Sequence, residues 1–268
     1  MSALKGTFGV LAAACLLTTS CGGEQATNTS PSSAANASAS AVQASATPPT
    51  SPAASSSASA SPATSHSAAD QFKILKSAFV EGSDIGKGWK GGTPKDFKEQ
   101  ENPNAKPIEF CPGRESTYFA AVKNAVGSAG NSYQDDSFSG SITIELKSFS
   151  AAQDPTLLRS ALISDVESCD DFKVEQSAGD IFYYSNKMEK LSSIKNGGMV
   201  GAYSQTIYAD KKRKKPVQKN FAVYAVSGRG LLRLDQTTTP GTRKTYKTSD
   251  AVDAAEAQLG KLGKALKG

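Results

Sequence analysis

Between residues 21 and 69 the chain contains no Leu, Ile, Phe, Trp or Tyr, and Val42 is its single branched apolar residue. Ser, Ala, Thr and Pro make up nearly all of it, and Glu24 and His66 are its only ionisable groups besides Cys21. Such a segment buries too little apolar surface to offset the entropy of ordering it, and it reads as a disordered tether. Folding is thereby confined to residues 70–268, the length of one domain and enough for a substantial core. Every Trp and Tyr lies there. With only Lys5, Glu24 and Asp70 outside it, 29 of the 30 basic and 23 of the 25 acidic residues fall in 71–268, a net charge of +6. A mild excess of this kind, spread evenly, implies solubility and nothing more.

Residues 1–20 have the parts of an export signal: Lys5, an apolar run from Gly6 to Leu17, then small residues. The run is too short for a permanent membrane span. "TTSCGG" (18–23) resembles the lipobox of bacterial lipoproteins. That resemblance implies cleavage before Cys21, a diacylglycerol on its thiol and an acylated amine. The usual Leu three residues before the cysteine is Thr18 here. Two or three acyl chains anchor firmly where one does not. A coil of 49 residues has an r.m.s. reach of about 40 Å, so the domain would hang clear of the membrane. On this reading Cys15 is discarded with the signal. Cys111 and Cys169 are then the two cysteines left in an oxidising compartment, and one disulfide is expected.

The folded part reads as α+β: an antiparallel sheet of about five to six strands with helices packed on it. Residues 72–89 read as a short helix or strand running into a loop, with Trp89 as a plug at the domain edge. "CPGRESTYFAAVKNAVG" (111–127) reads as a helix, with Tyr118, Val122 and Ala125 on one face and Gly127 ending it. In "SITIELKSF" (141–149) Ile142, Ile144 and Leu146 alternate with Thr143, Glu145 and Lys147, the pattern of a half-buried strand. Residues 154–169 read as a helix capped by Asp154, with Pro155 in its first turn and Leu158, Leu162, Val166 and Cys169 on one face. Strands are expected at 172–176, 180–186, 198–210, 217–226 and 230–238, the last three as a meander. Val252, Ala255, Leu259, Leu262 and Leu266 mark a closing amphipathic helix, capped by Ser249 or Asp250.

The order of these parts resembles that of actinobacterial envelope lipoproteins: lipobox, tether, "SDIGKGW", an early cysteine, then "VESCDDF" closing an amphipathic helix. The extracellular sensor domain of mycobacterial receptor serine/threonine kinases is similar in layout, and Mog1/PsbP-like lipoproteins are related in fold. The resemblance implies a ligand-sensing domain outside the cell. Some kinase sensors have two disulfides, and this chain can form one, so no binding residue is carried over.

Catalytic signatures are missing. The only histidine, His66, lies in the tether, which removes Ser-His-Asp and Cys-His chemistry and the commonest metal ligand. No metal or cofactor is expected. Asp170 with Asp171 and the carboxylates of "QDD" (134–136) read as solvated. The sharpest feature is Lys211, Lys212, Arg213, Lys214 and Lys215, expected at a hairpin tip. The run can guard a strand edge, or meet an anionic lipid or cell-wall polymer. Nucleic acid is not an expected partner. The sequence thus points to a lipid-anchored protein on the extracytoplasmic face of the cell membrane that binds or senses an envelope ligand without catalysis. A structural or assembly partner of another envelope protein is the alternative. A hydrolase without histidine is third.

Overall fold

The computed structural model describes residues 67–96, 109–137, 139–176, 179–191, 193–242 and 247–267. The signal, Cys21 and almost all of the tether lie outside them. Five helices and eleven strands occur among the described residues, and every strand pair is antiparallel.

The main sheet has nine strands, where about five to six were expected. Eight run in the order β1 (Trp89–Gly91), β5 (Gly127–Asp135), β6 (Gly140–Ser148), β11 (Gly230–Thr238), β10 (Pro216–Ser227), β9 (Gly198–Tyr208), β8 (Ile181–Glu189), β7 (Asp171–Glu175). β2 (Lys95–Asp96) also pairs with β5. The six strands read from sequence are β6 to β11. The three that were missed have physical reasons. β1 and β2 hold three and two residues, too few to show alternation. β5 reads GSAGNSYQD, where only Ala129 and Tyr133 carry the apolar signal. Gly127 opens this strand and does not end a helix. A Cβ there would meet Gln71 Cβ at 2.6 Å, so glycine lets α1 (Ala68–Ser77) lie against β5.

The expected helix over 111–127 is also corrected. A small ribbon of β3 (Glu109–Cys111) and β4 (Arg114–Glu115) comes first, and α3 spans only Thr117–Ala121. Tyr118 and Val122 are nevertheless buried in one cluster, as their spacing predicts.

The central strands bury both faces. On one, Ile142, Ile144, Leu146, Leu232 and Leu234 pack against Ala255, Leu259 and Leu262 of α5 (Thr248–Ala265) and Leu75 of α1. On the other, Tyr224, Val226 and Leu231 meet Leu158, Leu162 and Val166 of α4 (Pro155–Ser168) and Tyr118 of α3. Asp154 caps α4, its carboxylate accepting from the Thr156 N–H at 2.8 Å. At α5 Asp250 stands one turn inside the helix, accepting from the Lys247 N–H at 3.0 Å. α2 (Gly82–Ile85) precedes Trp89, which is buried in β1 at the sheet edge.

Buried polar groups tie the layers together. Gln258 of α5 accepts from the Val80 N–H at 3.1 Å and donates to the Ala78 carbonyl at 2.7 Å. The buried Asp165 of α4 accepts from Ser116 Oγ at 2.5 Å and from the Thr117 and Tyr118 N–H groups at 2.8 and 3.0 Å, so one helix caps the start of another. Among the described residues no helix is long and apolar enough to cross a membrane.

Candidate functional site

Cys111 and Cys169 form a disulfide with a Cα–Cα distance of 5.9 Å. Both are buried, and the bond ties the β3–β4 ribbon to the end of α4. Asn186 of β8 extends this anchor. Its side-chain N–H donates to the Cys169 carbonyl at 2.8 Å, and its oxygen accepts from Gln205 at 3.0 Å. Gln205 in turn accepts from Asn220 at 3.0 Å. This chain of amides runs across β8, β9 and β10 and holds the β9–β10 hairpin in register with the disulfide end of α4.

The tip of that hairpin carries the basic run. Lys211, Lys212, Lys214 and Lys215 are exposed and make no ion pair among the described residues. Arg213 does not follow its neighbours into solvent. Its N–H donates to the Asp210 carbonyl at 3.0 Å, closing a turn, and its own φ is +52°. A left-handed backbone costs a non-glycine residue about 1–2 kcal/mol. It turns the guanidinium back onto the carboxylate of Asp171 on the edge strand β7. Asp171 is therefore a paired carboxylate that still faces solvent. Asp135 of the "QDD" stretch, in contrast, is not solvated: it is buried at the β5–β6 turn, accepting from the Ser139 and Gly140 N–H groups at 2.8 and 3.0 Å.

The folded-back tip and the edge ribbon border a shallow, open surface hollow of about 340 Å³, lined by Asp171, Phe172, Lys173, Tyr183, Lys211 and Arg213. Lys173 stands opposite Tyr183 in the β7–β8 register, so their side chains share a face. Phe172 and Tyr184 face the other way and stack at 4.7 Å, which stiffens the ribbon. Lys212, Lys214 and Lys215 stand outside the lining. Thus two of the five basic residues are brought together with Lys173, Asp171 and Tyr183, which no motif marked. The available signal was the alternation in "DFKVE", which puts Lys173 and Asp171 on one face; nothing local says that this strand lies beside the 209–215 turn.

A second polar centre lies on the sheet beside α3. Arg233 Nε sits 2.7 Å from Asp235 Oδ2, and Glu145 is shared between Arg233 at 4.0 Å and the buried Lys147 at 3.5 Å. The Arg233 guanidinium lies 5.6 Å from the Phe119 ring and 5.8 Å from that of Tyr224. Burial raises the Asp235 carboxyl, against the opposing charge of Arg233. Burial pushes the Tyr118 and Tyr224 phenols well up, so both stay neutral. Two acids balance two bases here, and the centre clamps β6 to β11. Among the described residues no group of three His, Cys, Asp or Glu side chains could hold a metal ion.

The helices and antiparallel sheet define a class of α+β domain already known in solved bacterial structures. The fold is similar to that of the extracellular domain of PknH from Mycobacterium tuberculosis, at a TM-score of 0.50 and 9% identity over 72% of this chain and 96% of that one. An uncharacterized protein from Mycobacterium smegmatis aligns at a TM-score of 0.41 and 12% identity, over 72% of this chain and 98% of that one. No family model matches the chain, and no curated protein matches it. The resemblance drawn from the order of its sequence parts is met at the level of fold.

Proposed function

We propose that this chain is a lipid-anchored extracytoplasmic protein whose domain binds or senses an envelope ligand without converting it. In this reading residues 1–20 are removed, Cys21 carries the lipid, 21–69 are the tether and 70–268 form the binding domain. The observation that carries it is the buried Cys111–Cys169 disulfide. Such bonds persist in oxidising compartments and are rare where thiols are kept reduced. A fold like that of a solved extracellular domain supports the same side of the membrane. The hairpin tip, with four exposed lysines that make no ion pair among the described residues, favours an anionic partner, either phospholipid head groups or a cell-wall polymer.

Metabolic labelling with a clickable fatty acid tests the anchor. The expected result is a labelled, membrane-bound protein, and a Cys21→Ala chain that is unlabelled and released. An unlabelled wild-type protein, or a Cys21→Ala chain still held at the membrane, would overturn the reading.

A further inference from the structure

The hollow under the hairpin tip has a composition that narrows its ligand. Its ionised lining groups are Lys173, Lys211, Arg213 and Asp171, a net charge of +2. A phosphate monoester carries about −1.5 to −2 at neutral pH and offers three acceptor oxygens. Lysines and an arginine supply N–H donors only, so an acceptor-only anion is the complementary guest. A volume of about 340 Å³ exceeds what a bare phosphate fills and lies at the low end for small-molecule sites. The Tyr183 ring beside Lys173 offers a surface for the organic part. The strained, left-handed Arg213 is the second observation. The chain bears a local cost that directs this one cation of the run into the hollow, and such strain gathers at ligand-holding positions.

From this we infer that the hollow between the 209–215 turn and β7 is a phosphomonoester site, with Lys173, Lys211 and Arg213 holding the phosphate and Tyr183 facing the group it is attached to. This rests on the proposal of an anionic envelope partner and sharpens it. Recognition falls to one cluster on two elements, and Lys212, Lys214 and Lys215 add only long-range attraction. Asp171 holds Arg213 in place when the site is empty and shares the guanidinium with the incoming phosphate. The phosphate can come from a phosphorylated sugar or from a lipid head group.

The test uses the full chain carrying Cys21→Ala, with glucose 1-phosphate, inorganic phosphate and phosphatidic-acid vesicles as probes, by calorimetry and co-sedimentation at physiological salt. At least one probe should bind. Lys173→Ser should weaken that binding about tenfold, the loss of one charge-assisted contact. The triple change of Lys212, Lys214 and Lys215 to Ser should weaken it less than about threefold, because exposed charges outside the cluster are screened. Binding of glucose 1-phosphate places the ligand in solution or the wall; binding of vesicles alone places it in the membrane. If the sugar phosphate binds, Tyr183→Ala should weaken it while leaving any binding of inorganic phosphate unchanged. Equal thermal stability of the variants guards against misfolding. The site is refuted if no probe binds, or if the triple variant loses as much as Lys173→Ser. Failure here beside a fatty-acid-labelled wild-type protein sinks the site and spares the anchoring; an unlabelled protein sinks the anchoring whatever the titrations give.

Discussion

The Arg213 guanidinium rests on the Asp171 carboxylate, joining a hairpin turn to an edge strand 42 residues earlier in the chain. The pair is partly exposed, with side chains 30% and 52% accessible, so its Coulomb energy is largely screened. Its structural meaning is positional, because it holds the basic turn against β7 and creates the hollow.

That backbone geometry can be read by substitution. At φ +52° Arg213→Ala keeps the strain and loses the pair, whereas Arg213→Gly loses the pair and relieves the strain. The glycine variant should be more stable than the alanine variant by about 1 kcal/mol. Urea midpoints decide this, and equal midpoints would mean that the turn is not left-handed in solution.

The disulfide should contribute to stability through the unfolded chain. It joins residues 58 apart, and closing a loop of that length is worth about 4 kcal/mol in loop entropy. Denaturation with and without reductant measures the difference. Mass spectrometry of the alkylated, unreduced protein should find neither Cys111 nor Cys169 modified.

Gln258 makes a prediction about buried amides. Its side chain satisfies the Val80 N–H and the Ala78 carbonyl, all three residues being almost inaccessible. Gln258→Leu keeps much of the volume and strands both backbone groups. The expected loss is about 2–4 kcal/mol, since each stranded buried group costs about 1–3. A loss below about 1 kcal/mol in chemical denaturation would show that water or a local shift replaces the amide.

Tyrosine ionisation should run late in the folded protein. Burial raises the Tyr133 phenol from 10.0 to about 12, and burial also raises Tyr118, Tyr203 and Tyr224. Unfolded tyrosines lose their protons first, so the unfolded state binds fewer protons once the pH passes 10. Stability contributed by these neutral phenols is complete below pH 10 and falls as the pH rises through the Tyr133 value of about 12. An ultraviolet titration should show Tyr118, Tyr133, Tyr203 and Tyr224 ionising only beyond pH 10 or on unfolding. A single transition near pH 10 in folded protein would contradict the packing around Tyr118 and Tyr224.

Much of the fold was legible because its signals are local. Ile142, Ile144 and Leu146 alternate and are all fully buried. Asp154, Pro155 and the face of Leu158, Leu162 and Val166 mark α4 correctly. The illegible parts lacked apolar alternation, as in β5, or were too short, as in β1 and β2. The 111–127 segment misled because Tyr118, Val122 and Ala125 satisfy a helical spacing over a stretch where one short turn of helix meets that strand.

From composition and periodicity alone, it follows that residues 21–69 carry too little apolar surface to build a core and that six of the strands exist. These properties depend on neighbours along the chain, where spacing and side-chain chemistry act directly. The sheet order, the placing of Asp165 over the start of α3 and the meeting of Lys173 with Lys211 and Arg213 belong to the tertiary structure. They depend on which strands and helices lie side by side, and long-range burial of both sheet faces settles that, not any local run of residues.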